Sequence, residues 1–353
     1  MYPFRGRNGN YAYACARVKA RKSLLLTKDN YPKFLLMDLN EIGRFLGESQ
    51  YKTEMSELAA RYEGVNLIEL GTSRNLARSY TEMLEFTKGD LQEMLASYLT
   101  RWDIWNIKTI LRGKFYGASV EEIREDLVPA GGMKENELNQ LLSFASANEI
   151  LEALKKTNGM VVPEEVIALY EKNSTLAPIE DYLDKYYYET LLQKIDATRK
   201  PERIFLSYIR REIDTTNLMT LLKLKKEGTA AEKVISYFIA GGEQITKDSF
   251  DSLAAMDNVD QIAGELSKFT FFEDIKDPLE AAKSSGNLGD LAMAMKRYSL
   301  RLASKMSHVY PLSILPIVDY MISKKNEVDN IRIIARGKES GLDSDLIKSL
   351  LVV

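Results

Sequence analysis

The chain repeats itself with a period of about 110 residues, and that period limits the folds open to it. Asp103-Ile-Trp-Asn106-Ile107 returns as Asp214-Thr-Thr-Asn217-Leu218 and again as Glu327-Val-Asp-Asn330-Ile331. Gly117, Gly228 and Gly341 follow their asparagines at one fixed spacing. Upstream, Tyr80 with Leu84, Tyr187 with Leu191 and Tyr298 with Leu302 form a matched set, and Asn40-Glu-Ile42, Asn148-Glu-Ile150 and Asp260-Gln-Ile262 mark the module starts. A period of this length exceeds that of TPR or HEAT units, so each repeat is a small helical bundle in its own right.

Within each module the periodicity is helical. The positions one, four and five after each asparagine are Ile107, Ile110, Leu111; Leu218, Leu221, Leu222; and Ile331, Ile334, Ala335, a stripe that one helix face buries. No run alternates β-branched and polar residues, and Leu, Ala, Glu and Lys dominate, so the chain is predicted to be all-α. Ser119 with Glu122 and Thr229 with Glu232 fit the capping box that starts a helix. Asparagine is a poor residue for a helix interior, so Asn106, Asn217 and Asn330 predict a shared hydrogen bond to a neighbouring helix or loop carbonyl.

The third copy stops at Val353, short of the tail seen in the other two. Thr27 to Leu39 resembles that tail, as present in Lys134 to Ala147 and Thr246 to Val259. The predicted organisation is therefore an N-terminal segment, 1–39, that closes the third module, followed by modules 40–147, 148–259 and 260–353. Three bundles closing on one another make a ring with a pseudo-threefold axis.

Composition excludes several chemistries. One cysteine, Cys15, and one histidine, His308, among 353 residues leave no intrachain disulfide, no His/Cys zinc set and no ordinary triad. No phosphate-loop, dinucleotide, HExxH or GxSxG pattern is present, so no catalytic residue, metal or cofactor is expected. A net charge of −3 argues against nucleic acid as the main partner, and no apolar run reaches the length of a membrane span. The basic residues are clustered all the same. Arg5, Arg7, Arg17, Lys19, Arg21, Lys22 and Lys28 precede the first acid, Asp29, and the positions six and eight after each asparagine are basic: Arg112 and Lys114, Lys223 and Lys225, Arg336 and Lys338. Each pair sits at a helix C-terminal end, where the dipole favours a cation; the alternative role is contact with an acidic partner.

The stretch from Pro311 through Tyr320, then KKNEVDNIRIIARGK from Lys324 to Lys338 and on to Leu351, resembles the end of the C subunit of archaeal-type (A-type) and bacterial V-type ATP synthases, related to the d subunit of V-type ATPases. Tyr11-Ala-Tyr13 with Ala16-Arg17, and Asp184-Lys-Tyr-Tyr187 with Leu191, resemble the opening and middle of the same family. One departure is Asp329, where a basic residue is expected before Asn330. The resemblance implies a funnel of three helical bundles and a non-catalytic rotor part on the cytoplasmic face of the membrane. Its partners would be the central-axle subunits and the proteolipid ring, with torque passing between them to couple ATP synthesis to proton or sodium transport. The basic residues then become candidate contacts: Arg17, Lys19, Arg21, Lys22, Arg112, Lys114, Lys223, Lys225, Arg336 and Lys338. A generic helical scaffold, or an all-α metal-dependent lyase or transferase, are the alternatives on residues alone.

Overall fold

A computed structural model describes residues 8–158, 160–257, 259–285 and 288–353. It is all-α, with nineteen helices and no strand among the described residues. In chain order they are α1 (Tyr11–Lys22), α2 (Asn30–Leu36), α3 (Leu39–Gly47), α4 (Lys52–Leu58), α5 (Gly64–Phe86), α6 (Gly89–Tyr116), α7 (Val120–Asp126), α8 (Glu135–Ser143), α9 (Ala147–Asn158) and α10 (Glu164–Asn173). There follow α11 (Ala177–Lys194), α12 (Lys200–Lys226), α13 (Ala231–Ser236), α14 (Lys247–Ala255), α15 (Val259–Leu266), α16 (Phe272–Ser285), α17 (Gly289–Val309), α18 (Leu315–Glu339) and α19 (Ser344–Ser349).

The helices gather into two compact units. One comprises residues 1–10 and 46–194, the other 11–45 and 195–353. In the first, α6 is the spine: its own followers α7 and α8 pack on it, and so do α9 and α11. In the second, α12 carries α13 and α14 together with α15 and α17, while α18 carries α17, α19 and the N-terminal α1, and α2 lies against α19. All nine residues of the apolar stripe on α6, α12 and α18 are 0% exposed. At ~1.5–3 kcal/mol for burying each large aliphatic side chain, those three spines anchor the cores.

The three spines end alike. Gly117, Gly228 and Gly341 adopt φ of 75°, 70° and 66°, a left-handed turn that a side chain resists. The N–H one residue on then returns to the carbonyl five residues back, as Ala118 to Gly113, Thr229 to Leu224 and Leu342 to Gly337. What starts the next helix differs. Ser119 and Glu122 form the reciprocal capping box at α7. Thr229 and Glu232 do not: α13 begins one residue later, Ala230 is its N-cap, and no side chain caps it. Thr229 spends its N–H on closing α12, which leaves it outside the cap position that the box requires.

Candidate functional site

Each repeated asparagine builds the same clamp. The Asn106 side chain donates from Nδ2 to the Val128 carbonyl at 2.8 Å and accepts the Val128 N–H on Oδ1 at 2.9 Å. Asn217 does so with Ile239 at 2.8 and 2.9 Å, and Asn330 with Val352 at 2.8 and 3.1 Å. The partner lies 22 residues downstream in every case, and the asparagines are 0%, 1% and 0% exposed. Only a primary amide offers a donor and an acceptor in one short plane, so it pairs with a buried backbone residue as another strand would. This accounts for an asparagine inside each long helix.

A carboxylate one turn earlier holds a second loop. Asp103 accepts from the N–H groups of Gly132 and Met133, both at 2.9 Å, and Asp214 from those of Glu243, Gln244 and Ile245 at 2.9 to 3.1 Å. The glycine pairs make room for it. A Cβ on Gly131 would fall 2.1 Å from Asp103 Oδ1, and one on Gly242 2.2 Å from Asp214 Oδ1. Burial pushes both carboxyls above the usual aspartate range, although the backbone N–H donors pull the other way. Sequence reasoning misses these loop-binding roles, yet a signal exists: Gly131 and Gly242 follow Asp103 and Asp214 at the same spacing.

In the third copy the donors come from the other end of the chain. Glu327 occupies the aspartate position and accepts the N–H of Leu26, 301 residues away, while its other oxygen meets Lys324 Nζ at 3.0 Å. The following contacts keep register. Lys225 Nζ donates to the Ala254 carbonyl at 3.0 Å, nine residues past Ile245, and Lys338 Nζ donates to the Leu35 carbonyl at 2.7 Å, nine residues past Leu26. Phe250 and Tyr31 are buried at matching places, and burial pushes the Tyr31 hydroxyl up to about 12.

The candidate contact residues divide. Lys22 is tied to Asp319 at 2.6 and 2.7 Å, Arg112 to Glu180 at 2.5 and 2.9 Å, and Lys225 and Lys338 to the carbonyls just described. Arg17 is exposed and donates to the Tyr13 hydroxyl at 2.8 Å. Lys19, Lys223 and Arg336 are exposed, Arg21 and Lys114 half-buried; Arg5 and Arg7 lie outside the described residues. Of the tyrosines, Tyr80 is buried against Trp102 with ring centres 5.9 Å apart. The Tyr187 hydroxyl accepts from Arg101 at 2.7 Å and donates to the Tyr98 carbonyl at 3.2 Å. Tyr298 packs edge-on to Phe271 at 6.2 Å, and burial raises its hydroxyl above the usual tyrosine value.

The one histidine and the one cysteine lie apart from these clamps. His308 is exposed, its Nδ1 2.7 Å from the Ser304 carbonyl on its own helix. Cys15 is buried, donates to the Ser313 carbonyl at 3.3 Å, and has its thiol raised by that burial. Among the described residues no group of three or more His, Cys, Asp or Glu is placed to hold a metal ion, and no helix is long and apolar enough to cross a membrane. Asp329, the departure noted in the sequence, sits between Lys325 and Lys296, the latter at 2.8 Å; burial would raise its carboxyl, but the two cations hold it below the usual range.

The profile of the ATP synthase (C/AC39) subunit family matches residues 14–350. Among curated proteins, the A-type ATP synthase C subunit of Methanosarcina mazei is 41% identical over 350 residues, covering 98% of this chain and 94% of the relative. That of Methanosarcina acetivorans is 42% identical over 346 residues, with 98% and 93% covered. The Halobacterium salinarum protein of the same name is 34% identical over 347 residues, with 98% of each sequence covered.

Proposed function

The chain belongs to the ATP synthase (C/AC39) subunit family, a structural rather than catalytic part of an A/V-type ATP synthase, and from that premise we propose that it is a socket in the rotor. In this reading it sits peripherally on the cytoplasmic face, receives the foot of the central axle and rests on the proteolipid ring. Torque passing through it couples ATP synthesis to proton or sodium transport. The observation that carries the mechanical part is the asparagine clamp repeated three times, together with the carboxylate-held loop of the second module, whose counterpart in the third is the N-terminal segment in the same register.

Repeated buried bonds of this kind suit a body that must transmit torque without yielding, because each resists shear between a spine and its loop. They support modules 40–147, 148–259 and 260–353, with 1–39 completing the third, set about a pseudo-threefold axis as a funnel. α1 on α18 then stands where α11 stands on α6 and α17 on α12. The outward cations Lys19, Lys223 and Arg336 are the proposed partner contacts. A socket that does not slip needs large interfaces, ~2000 Å² or more. Affinity purification from detergent-solubilised native membranes tests the reading: rotary ATPase subunits, including the proteolipid, are expected to co-purify. Recovery of the chain without them, with some other partner enriched, refutes it.

A further inference from the structure

A cleft of about 620 Å³ opens between the segment that follows α1 and the facing sides of α17 and α18, wholly inside the second unit. Its walls are of two kinds. Leu26, Leu300 and Val352 supply apolar lining, and Lys28, Arg297 and Asn326 supply polar lining. Two further cations at its edge are already matched, Lys22 by Asp319 at 2.6 Å and Arg301 by Asp274 at 2.5 Å, and Glu327 is matched by Lys324. Among the described residues neither Lys28 nor Arg297 makes an ion pair, so the cleft presents two side-chain cations without a paired carboxylate beside aliphatic side chains. Asn326 spends its amide NH₂ on the Val352 carbonyl at 2.8 Å, and its buried Oδ1 meets no donor.

We infer that this cleft receives a short acidic peptide segment of a partner protein, with carboxylates on Arg297 and Lys28 and apolar side chains against Leu26 and Leu300. The volume lies in the range of ligand sites. A small oxyanion would offer charge to a cation yet leave most of the space and the leucine side chains uncovered. A purely apolar helix would bury the half-buried Arg297 guanidinium with no counter-charge, which is unfavourable for a charge taken out of water. A segment that alternates acidic and apolar residues matches both walls, and charge complementarity of this kind sets partner choice. The inference rests on the subunit reading only for the source of the peptide, another subunit of the same complex.

The test titrates the full-length protein against a fluorescein-labelled, end-blocked hexapeptide alternating Glu and Leu, followed by anisotropy. Its Lys/Leu counterpart serves as control and inorganic phosphate as competitor. Saturable binding of the acidic peptide, weakened at least tenfold by Arg297→Glu or Lys28→Glu and weakened by salt, is expected. Lys28 is exposed, so its variant keeps the test decisive should Arg297→Glu misfold. Absence of binding, equal binding of the Lys/Leu peptide, indifference to both substitutions, or displacement by phosphate at lower concentration than by unlabelled peptide overturns the inference, the last outcome marking a simple anion site. The two readings fail separately. Peptide binding by a protein that recovers no ATPase subunits from membranes leaves the cleft and sinks the socket; the converse leaves the socket and sinks the cleft.

Discussion

Replacing Asn217 by Ala removes one side chain and strands two backbone groups. Ile239 is 5% exposed, so its N–H and its carbonyl, now held at 2.9 and 2.8 Å, have no ready access to water once the amide is gone. Each buried group left without its partner costs ~1–3 kcal/mol, which puts the total at about 4 kcal/mol. At ~1.4 kcal/mol per decade, the local opening equilibrium then rises roughly a thousandfold. Hydrogen exchange followed by mass spectrometry reads this directly at the peptide carrying Ile239, while urea unfolding reads the unit as a whole. Asn217→Asp sharpens the test, because it keeps the acceptor for the Ile239 N–H but sets a carboxylate oxygen against the Ile239 carbonyl. Protonation restores a donor, so the folded-state pKa of the new carboxyl is raised, and relative to the natural protein the variant recovers stability as pH falls through that value. If unfolding resolves into two transitions, Asn217→Ala shifts the one belonging to residues 11–45 and 195–353, and Asn106→Ala shifts the other. Protection at Ile239 within threefold of the unsubstituted protein, or full stability of Asn217→Asp at neutral pH, would refute the reasoning.

Three further outcomes follow from neighbouring contacts. Gly242→Ala puts a methyl where Asp214 Oδ1 lies, and is expected to cost ~2–3 kcal/mol and open residues 240–246 to limited proteolysis; unchanged cleavage would contradict it. Glu327→Gln leaves the Lys324 ammonium without that carboxylate, a loss of ~3–5 kcal/mol, with faster hydrogen exchange in residues 23–36 as its local readout. The Asp329 carboxyl is lowered by Lys325 and Lys296, so it stabilises the fold above the unfolded aspartate value near ~3.9 and loses that contribution as pH falls through its folded value. Asp329→Asn should therefore narrow the stability difference between pH 7 and pH 2 in urea titrations; an unaltered pH profile would refute the assignment.

The repeat made the helical class and the positions of the key side chains readable because it sampled one environment three times. An asparagine kept at 106, 217 and 330 inside apolar stripes points to a buried amide bond, and glycines kept in step at 117, 228 and 341 point to left-handed helix ends. What the amide bonds to could not be read, since Val128, Ile239 and Val352 share only an apolar side chain, and the bond runs to their backbone. The same holds for Leu26, whose N–H serves Glu327 without any mark on its own side chain. The basic positions were legible as helix ends, but whether a lysine there faces solvent or a neighbouring carbonyl depends on packing. Lys225 and Lys338 reach carbonyls, whereas Lys223 and Arg336, two residues before each, point outward. Arg297 stands beside Lys296 in a stretch, 291–318, that holds basic residues and no acid, but which of those cations lines a cleft depends on packing.

The bond between Leu26 and Glu327 also sets a timetable. During synthesis at ~5–20 residues per second, about a quarter of a minute to a minute passes after Leu26 is made before Glu327 follows it. Throughout that interval α1 has its Ala14, Cys15 and Val18 face without the helix that covers it, since α18 has yet to be translated. Closing a 301-residue loop costs about 2 kcal/mol more chain entropy than closing the 29-residue loop between Asp103 and Gly132. The nascent chain therefore carries the apolar face of α1, with its basic neighbours, uncovered until α18 is made.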